Sequence, residues 1–415
     1  MMSHSRNMLF VSILFVTVAV TAFAQSADRG DPVRFSIAAE VEGTDNRDSA
    51  PKGFEESNFD VYIKPKIDIV SDTERTIFDF YYVPTYRYRT DPSAIQNEDE
   101  FQHQLGLQVK HQLGAATIFR LDEWYVYTDD PGVEVGGTTT RRDSSFAMND
   151  FEVGMGFDLS EKVMFDISGD YMFKTYDDEL VARESDEDSS TLNAKLTRML
   201  QPTLHIYASA VYAQYGYDTA GNSERGFEAM GVGFGMDRIL SDTVRAGIHV
   251  GAKTISYEDA TVEDTDSPNI TAKIQIEPSA QTRLLISLMY GLLNSDVYPY
   301  SSQDTTSIYT KLDYNGIERI TLSIWGQYRD NKYDRADVAA SVLAAEGFGS
   351  IESYMASLGF ASEGNETTMS VGAELKYSIA ERTSMRLVQS FEDVDSDVST
   401  VFSRSATRVG LSRSF

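Results

Sequence analysis

The sequence predicts an all-β fold, a single closed antiparallel transmembrane β-barrel of about eighteen strands, with sixteen as the alternative count. Three observations predict it. Segments long enough to cross a bilayer alternate at the strand period, their connections are short and long by turns, and an export signal precedes a chain that has no Cys.

The signal comes first. MMSHSRNMLFVSILFVTVAVTAFAQ has Arg6 in a polar start, an apolar stretch from Met8 to Val20, and Ala22-Phe23-Ala24 as a cleavage site before Gln25. The apolar run is shorter than a membrane helix needs and has no stop-transfer flank, so residues 1–24 are assigned to export. No Cys follows the site, which excludes lipoprotein processing. Residues 25–32 form a short periplasmic segment, and residues 33–415 form the barrel. No later stretch reaches eighteen apolar residues, so a helical membrane protein is excluded. No linker, composition shift or repeat divides the remainder, and without disulfides a closed hydrogen-bonded sheet is the natural source of stability.

The strands follow in order. In NFDVYIKPKIDIV, residues 58–70, Phe59, Val61, Ile63, Pro65, Ile67 and Ile69 share one face, and Asp60, Tyr62, Lys64, Lys66 and Asp68 share the other. Phe78, Phe80, Tyr82, Pro84, Tyr86 and Tyr88 alternate with Asp79, Tyr81, Thr85 and Arg87, and Phe101 to Val109 alternates with Gln102 to Lys110. Phe151 to Leu159 opposes Glu152, Gly154, Gly156 and Asp158, and Val163 to Phe173 opposes Asp166, Ser168, Asp170 and Lys174. Further strands are expected around 191–200, 203–217, 226–238, 243–257, 269–277, 281–293, 305–314, 318–330, 367–379, 384–391 and 399–415. Soluble sandwich strands are mostly shorter, about five or six residues.

Short turns at Ser160-Glu161-Lys162, Gln201-Pro202, Leu240-Ser241-Asp242, Asn315-Gly316 and Ala380-Glu381-Arg382 trade places with long polar loops. The loops fall at 43–57, 90–98, 129–144, 177–190, 218–225, 258–268, 294–304 and 331–366. Short periplasmic turns and long extracellular loops are the arrangement of an outer-membrane barrel, so the expected location is the cell outer membrane with both chain ends in the periplasm. Within 334–366, Asp337 can cap a helix over VAASVLAAE, and a second helical turn fits Ser350 to Leu358 before Gly359. A strand over Tyr354 to Ala361 would instead invert the parity of everything after it. Aromatics crowd the long-loop ends of strands: Tyr86, Tyr88, Trp124, Tyr125, Tyr127, Tyr171, Phe173, Tyr176, Tyr212, Tyr215, Tyr217, Tyr290, Tyr298, Tyr300, Tyr328 and Tyr333. They are expected to form a headgroup girdle.

Placing the apolar parity in lipid sends a base-rich set inward. Lys64, Lys66, Arg87, Lys110, Lys174, Arg245, Lys253, Lys273, Lys311, Arg329, Lys376 and Arg386 are the expected anion path, with Arg34, Lys195, Arg404 and Arg408 on the same parity. The inward acids are Glu40, Asp60, Asp68, Asp79, Glu152, Asp166, Asp170, Asp313 and Glu374. The net charge of -28 then lies mainly in loops such as DDELVARESDED, which has seven acids and one Arg. A lumen lined by positive groups favours anions, so a porin-like channel for anionic small solutes, or for an exported anionic polysaccharide, is expected. The competing reading pairs these bases and acids across strands as a structural lattice.

Two other classes stay open. A structural or adhesin-type barrel would act through its acidic loops, and a membrane-face hydrolase is the least supported. His103 and His111 lie on the apolar parity, His205 begins a strand and His249 points inward. No G-x-S-x-G, H-E-x-x-H, Cys/His cluster or D-x-D-x-D-G loop is present, so no enzyme, metal or cofactor is expected.

VGLSRSF, residues 409–415, resembles the C-terminal strand signal that the outer-membrane barrel assembly machinery recognises, through Val409, Leu411 and Phe415. Arg413 stands where that signal usually has an aromatic or apolar residue. SNFDVYIKPKIDIVSDTERTIFDFYYVPTYRYRTD and EFQHQLGLQVKHQLGAATIFRLDEWYVY are similar to the putative beta-barrel porin type 2 proteins, which are often associated with exopolysaccharide gene clusters. The resemblance implies an outer-membrane barrel, with lipid, lipopolysaccharide, the assembly machinery and an anionic solute or polysaccharide as partners, and no nucleic acid.

Overall fold

The computed structural model describes residues 32–92, 97–128, 134–135, 138–139, 145–217, 226–258, 264–295, 297, 300, 302–333, 343–344 and 347–415. Alternation dictates strands, and long strands form: β1 (Val33–Thr44), β2 (Asn58–Asp72), β3 (Thr76–Arg89), β4 (Asp99–Gly114) and β5 (Thr117–Thr128). In the next loop a two-residue pair, β6 (Glu134–Val135) and β7 (Thr138–Thr139), stands apart from the main sheet. The sheet resumes with β8 (Phe146–Ser160), β9 (Val163–Tyr176), β10 (Glu187–Gln201), β11 (Leu204–Tyr217), β12 (Phe227–Ser241) and β13 (Val244–Tyr257). It ends with β14 (Thr265–Ser279), β15 (Thr282–Asn294), β16 (Ser302–Ile317), β17 (Ile320–Tyr333), β18 (Gly364–Ala380), β19 (Thr383–Ser396) and β20 (Phe402–Ser414).

These make one eighteen-stranded antiparallel sheet in which β1 pairs with both β2 and β20, so the sheet is closed. Closure satisfies the backbone groups that an edge would leave bare in lipid. At the seam Val41 faces Val409, Ala39 faces Leu411 and Ile37 faces Arg413, and the Phe415 N–H donates to the Phe35 carbonyl at 2.9 Å. Arg413 is therefore on the outer face, where its guanidinium lies 5.6 Å from the Phe415 ring. Long side chains at this rim can carry their charge toward headgroups.

Exposure separates the two faces. Phe234 at 73% and Val232 at 65% point outward on β12, whereas Ile255 on the inward parity of β13 is fully covered. An outward apolar surface of this extent is stable only against hydrocarbon. The short turns all lie at the end that holds β1's start and β20's finish. One turn differs from the sequence expectation: β16 runs through Asn315-Gly316 to Ile317, and the chain reverses at Glu318-Arg319, where Arg319 takes φ 64°.

In the 334–366 stretch a helix, not a strand, forms, so the parity of the last strands holds. It is α2 (Ile351–Leu358), introduced after the shorter α1 (Glu179–Ser185). Ser350 caps α2 by accepting from the Ser353 N–H at 3.3 Å, and Gly359 closes it at φ 81°, a conformation that Gly adopts without strain. The VAASVLAAE expectation falls outside the described residues except for Leu343 and Ala344, which are helical. No helix was expected at α1, where Asp178 Oδ1 accepts from the Val181 N–H at 3.1 Å.

A candidate anion path in the lumen

Cross-strand register places all twelve expected path residues on the inner face, along with Arg34, Lys195, Arg404 and Arg408. The inner face is not base-rich as a whole, however. Register also brings Glu42, Glu100, Asp122, Asp150, Glu187, Asp237, Glu366 and Glu392 inward, with Arg89, Arg120 and Arg283. Of these acids, Glu187 and Glu366 lie in stretches that read as loops in the sequence, because strand ends cannot be fixed without the partner strands.

The bases fall into two groups. Around the seam, acids neutralise them. Lys64 Nζ donates to Glu40 Oε2 at 2.5 Å, Arg87 pairs with Asp60 at 2.5 Å, Arg386 with Glu374 at 2.8 Å, Arg404 with Glu392 at 2.8 Å and Arg408 with Glu42 at 2.5 Å. Tyr62, 5% exposed, lies among them, with Lys64, Arg87 and Arg408 within 5.5 Å of its ring. On β2 Lys66 also pairs with Asp68 at 2.6 Å; elsewhere Lys174 pairs with Glu187 at 2.8 Å and Lys311 with Asp313 at 3.4 Å. Lys253 donates to the Leu292 carbonyl at 3.0 Å, and Arg329 is buried on β17. Among the described residues Lys110, Arg245, Lys273 and Lys376 have no acid within ion-pair distance. Each is in the half of its strand nearer the short turns.

The opposite half of the lumen is packed. Val126, Phe146, Met148, Met172 and Tyr176 form one inward apolar cluster, and Val181 and Ala182 of α1 rest on it. Ala213, Phe227, Ala229 and Ile255 form another; β14 and β15 stop pairing above Ile270 and Tyr290, and Leu292 turns onto this cluster. Tyr300, Tyr333 and Val398 meet Ile351 and Met355 of α2 in a third. The Tyr300 hydroxyl donates to the Ala361 carbonyl, and burial beside Asp397 pushes its phenol up to about 12. Trp124, Tyr176, Tyr215, Tyr217, Tyr300 and Tyr333 are thus corrected from girdle to interior, while Tyr86, Tyr88, Tyr125, Tyr127, Tyr171, Phe173, Tyr212, Tyr290 and Tyr328 keep outward parity. Tyr298 lies outside the described residues. Crowding at strand ends alone does not distinguish the two faces.

Glycine rows shape the wall from β11 to β14. Cβ atoms at Gly233 and Gly235 would collide with His249 and Tyr207, whose rings therefore lie against β12 from opposite sides. The rings are parallel to within 5°, with centroids 5.9 Å apart; Ser209 Oγ is 2.9 Å from His249 Nε2, and Lys195 Nζ is 3.9 Å from the Tyr207 centroid. On the outer face His103 and His111 are held by Tyr82 at 2.9 Å and Thr76 at 2.8 Å.

The sequence matches the family described as putative beta-barrel porin 2 over residues 32–414. The chain belongs to this family. As a porin it is placed in the outer membrane as a channel-type barrel, and family and fold point away from an enzyme. Among solved structures, OpdK from Pseudomonas aeruginosa is 10% identical at a TM-score of 0.48, covering 92% of this chain and 99% of its own. OccK2 (OpdF) from Pseudomonas aeruginosa, solved with glucuronate, is 9% identical at 0.48, covering 92% and 98%. A BenF-like porin from Pseudomonas fluorescens Pf-5 is 10% identical at 0.48, covering 93% and 99%. No curated protein matches the porin.

Proposed function

We propose that the porin passes small anionic solutes across the outer membrane. The observation that supports this best is the set of inward bases without acid partners, Lys110, Arg245, Lys273 and Lys376, in the periplasmic half of the lumen. An anion meeting them need not compete with a carboxylate already in place, and a low-dielectric wall focuses their field. The packed extracellular half favours a small solute over a polysaccharide chain, because Tyr333, Phe146 and Ile255 are essentially inaccessible on the inner face.

Reconstitution in planar bilayers under a salt gradient tests the reading. The expected result is a reversal potential on the anion-selective side; cation selectivity or a silent barrel overturns it. The leader assigned to residues 1–24 and the assembly role of Val409, Leu411 and Phe415 belong to the same proposal. Deleting Phe415, which removes its bond to the Phe35 carbonyl, is expected to lower the yield of folded barrel in outer-membrane fractions severalfold. An unchanged yield would remove the assembly role.

A further inference from the structure

We propose that the periplasmic end of the β11–β14 wall is a binding subsite for a small monocarboxylate that carries a flat ring. This rests on the anion-channel reading and adds a site and a ligand chemistry to it. A cavity of about 240 Å³ opens there, and His205, Asp237, Arg245, Gly247, Lys273 and Gln275 line it. At about 30 Å³ for each water of liquid volume, the space suits a small organic acid and not a polymer. Arg245 and Lys273 come from adjacent strands, Gly247 facing Lys273 and Arg245 facing Gln275 across the β13–β14 ladder. Neither has an ion-pair partner among the described residues, and Asp237 is the one carboxylate in the lining, so the cavity keeps a net positive charge. A guanidinium beside an ammonium offers charge-assisted donors to both oxygens of a carboxylate.

The row above supplies the ring contact. Tyr207 lies two residues beyond His205 on β11, and His249 two beyond Gly247 on β13, so their parallel rings stand one row above the residues that line the cavity. Gly233 and Gly235 beneath them let both rings lie flat on the wall. Ser209 fixes the His249 imidazole, and Lys195 sits over Tyr207, which leaves the His249 side as the place for a ligand ring. A planar ring stacked there directs a carboxylate one residue pair down, toward Arg245 and Lys273. Both cations are solvent-exposed, so binding is weak enough for release, as conduction requires.

The test measures block of chloride current through the full-length porin in planar bilayers, with benzoate as probe and acetate as the ring-free control. Benzoate should halve the conductance at a concentration about tenfold below acetate, the difference that one good stacking contact makes. Arg245→Gln with Lys273→Gln should raise the half-blocking benzoate concentration about tenfold, the scale of a charge-assisted hydrogen bond. His249→Ala should bring benzoate to the acetate value. Heat-modifiable gel mobility confirms that each variant is a folded barrel. Equal block by benzoate and acetate, or block unchanged in the double variant, overturns the subsite even when the channel is anion-selective. A cation-selective native channel overturns the anion reading itself.

Discussion

Two walls of one barrel treat inward charge in opposite ways. Along the seam, from β19 through β20 and β1 to β3, nearly every inward base meets an acid: Glu40 alone lies 2.5 Å from Lys64 and 3.8 Å from Arg386. From β11 to β14 the inner face has glycines, two flat rings and cations that face open space. The seam joins strands separated by almost the whole chain, so its register gains nothing from a tight turn and must be set by side chains. Hairpin strands such as β12 and β13 are registered by their own turn, which leaves their inner face available for a solute. Inward charge is therefore structural where it meets an acid, and where it does not it is the charge that the proposed anion path uses.

The seam wall depends most on Glu40, which is 6% exposed and serves two cations. Glu40→Gln should destabilise the barrel by about 2–3 kcal/mol by leaving half-buried cations uncompensated, read as a lower midpoint of heat-modifiable mobility. An unchanged midpoint would show that the seam does not depend on its ion pairs. Next is Gly235→Val, where new atoms overlap Tyr207. Overpacking of this kind costs about 1–3 kcal/mol, and the tilted rings should narrow the conductance as well. A stable variant with native conductance would show that the rings are not held by the glycines.

Charge neutralisation separates the walls by readout. Arg245→Gln with Lys273→Gln should move the reversal potential toward cations while changing stability by no more than about 0.5 kcal/mol. Lys64→Gln with Arg87→Gln should do the reverse. If both pairs shift selectivity equally, the distinction between the walls fails. The smallest effect is expected at the packed, long-loop end. A phenol raised to about 12 stays neutral longer in the folded barrel than in the unfolded chain. Its contribution is complete below the ordinary tyrosine value of about 10 and is lost as pH rises toward the folded value. Tyr300→Phe should remove one late-titrating tyrosine from the ultraviolet difference titration, and an unaltered curve would refute the assignment.

Much of this was legible beforehand. Strand parity in NFDVYIKPKIDIV survives intact because a slip of one residue would put Lys64 and Asp60 in lipid and Phe59 and Ile63 in the lumen. The α2 caps, Ser350 and Gly359, were legible for a local reason, since capping depends on residues a few positions apart. α1 was missed because seven residues in an acidic loop have no period long enough to stand out, and Asn315-Gly316 misled because a favourable turn pair can be carried inside a strand when its neighbours pair. Glycine at 233 and 235 was visible as composition, but not as a bed for rings from other strands.

By itself the sequence determined the class of fold, the face that the alternating apolar and charged residues take, and the placing of both chain ends at the short-turn end of the barrel. Those follow from side-chain polarity against two solvents, lipid outside and water within, and each residue carries that information alone. Only the tertiary structure decided which bases are neutralised, which aromatics fill the lumen instead of girdling it, and where a cavity is left between Arg245 and Lys273. Those depend on register between strands and on how segments beyond the strand ends fold back, and distances between residues far apart in the chain are set by the closed sheet as a whole.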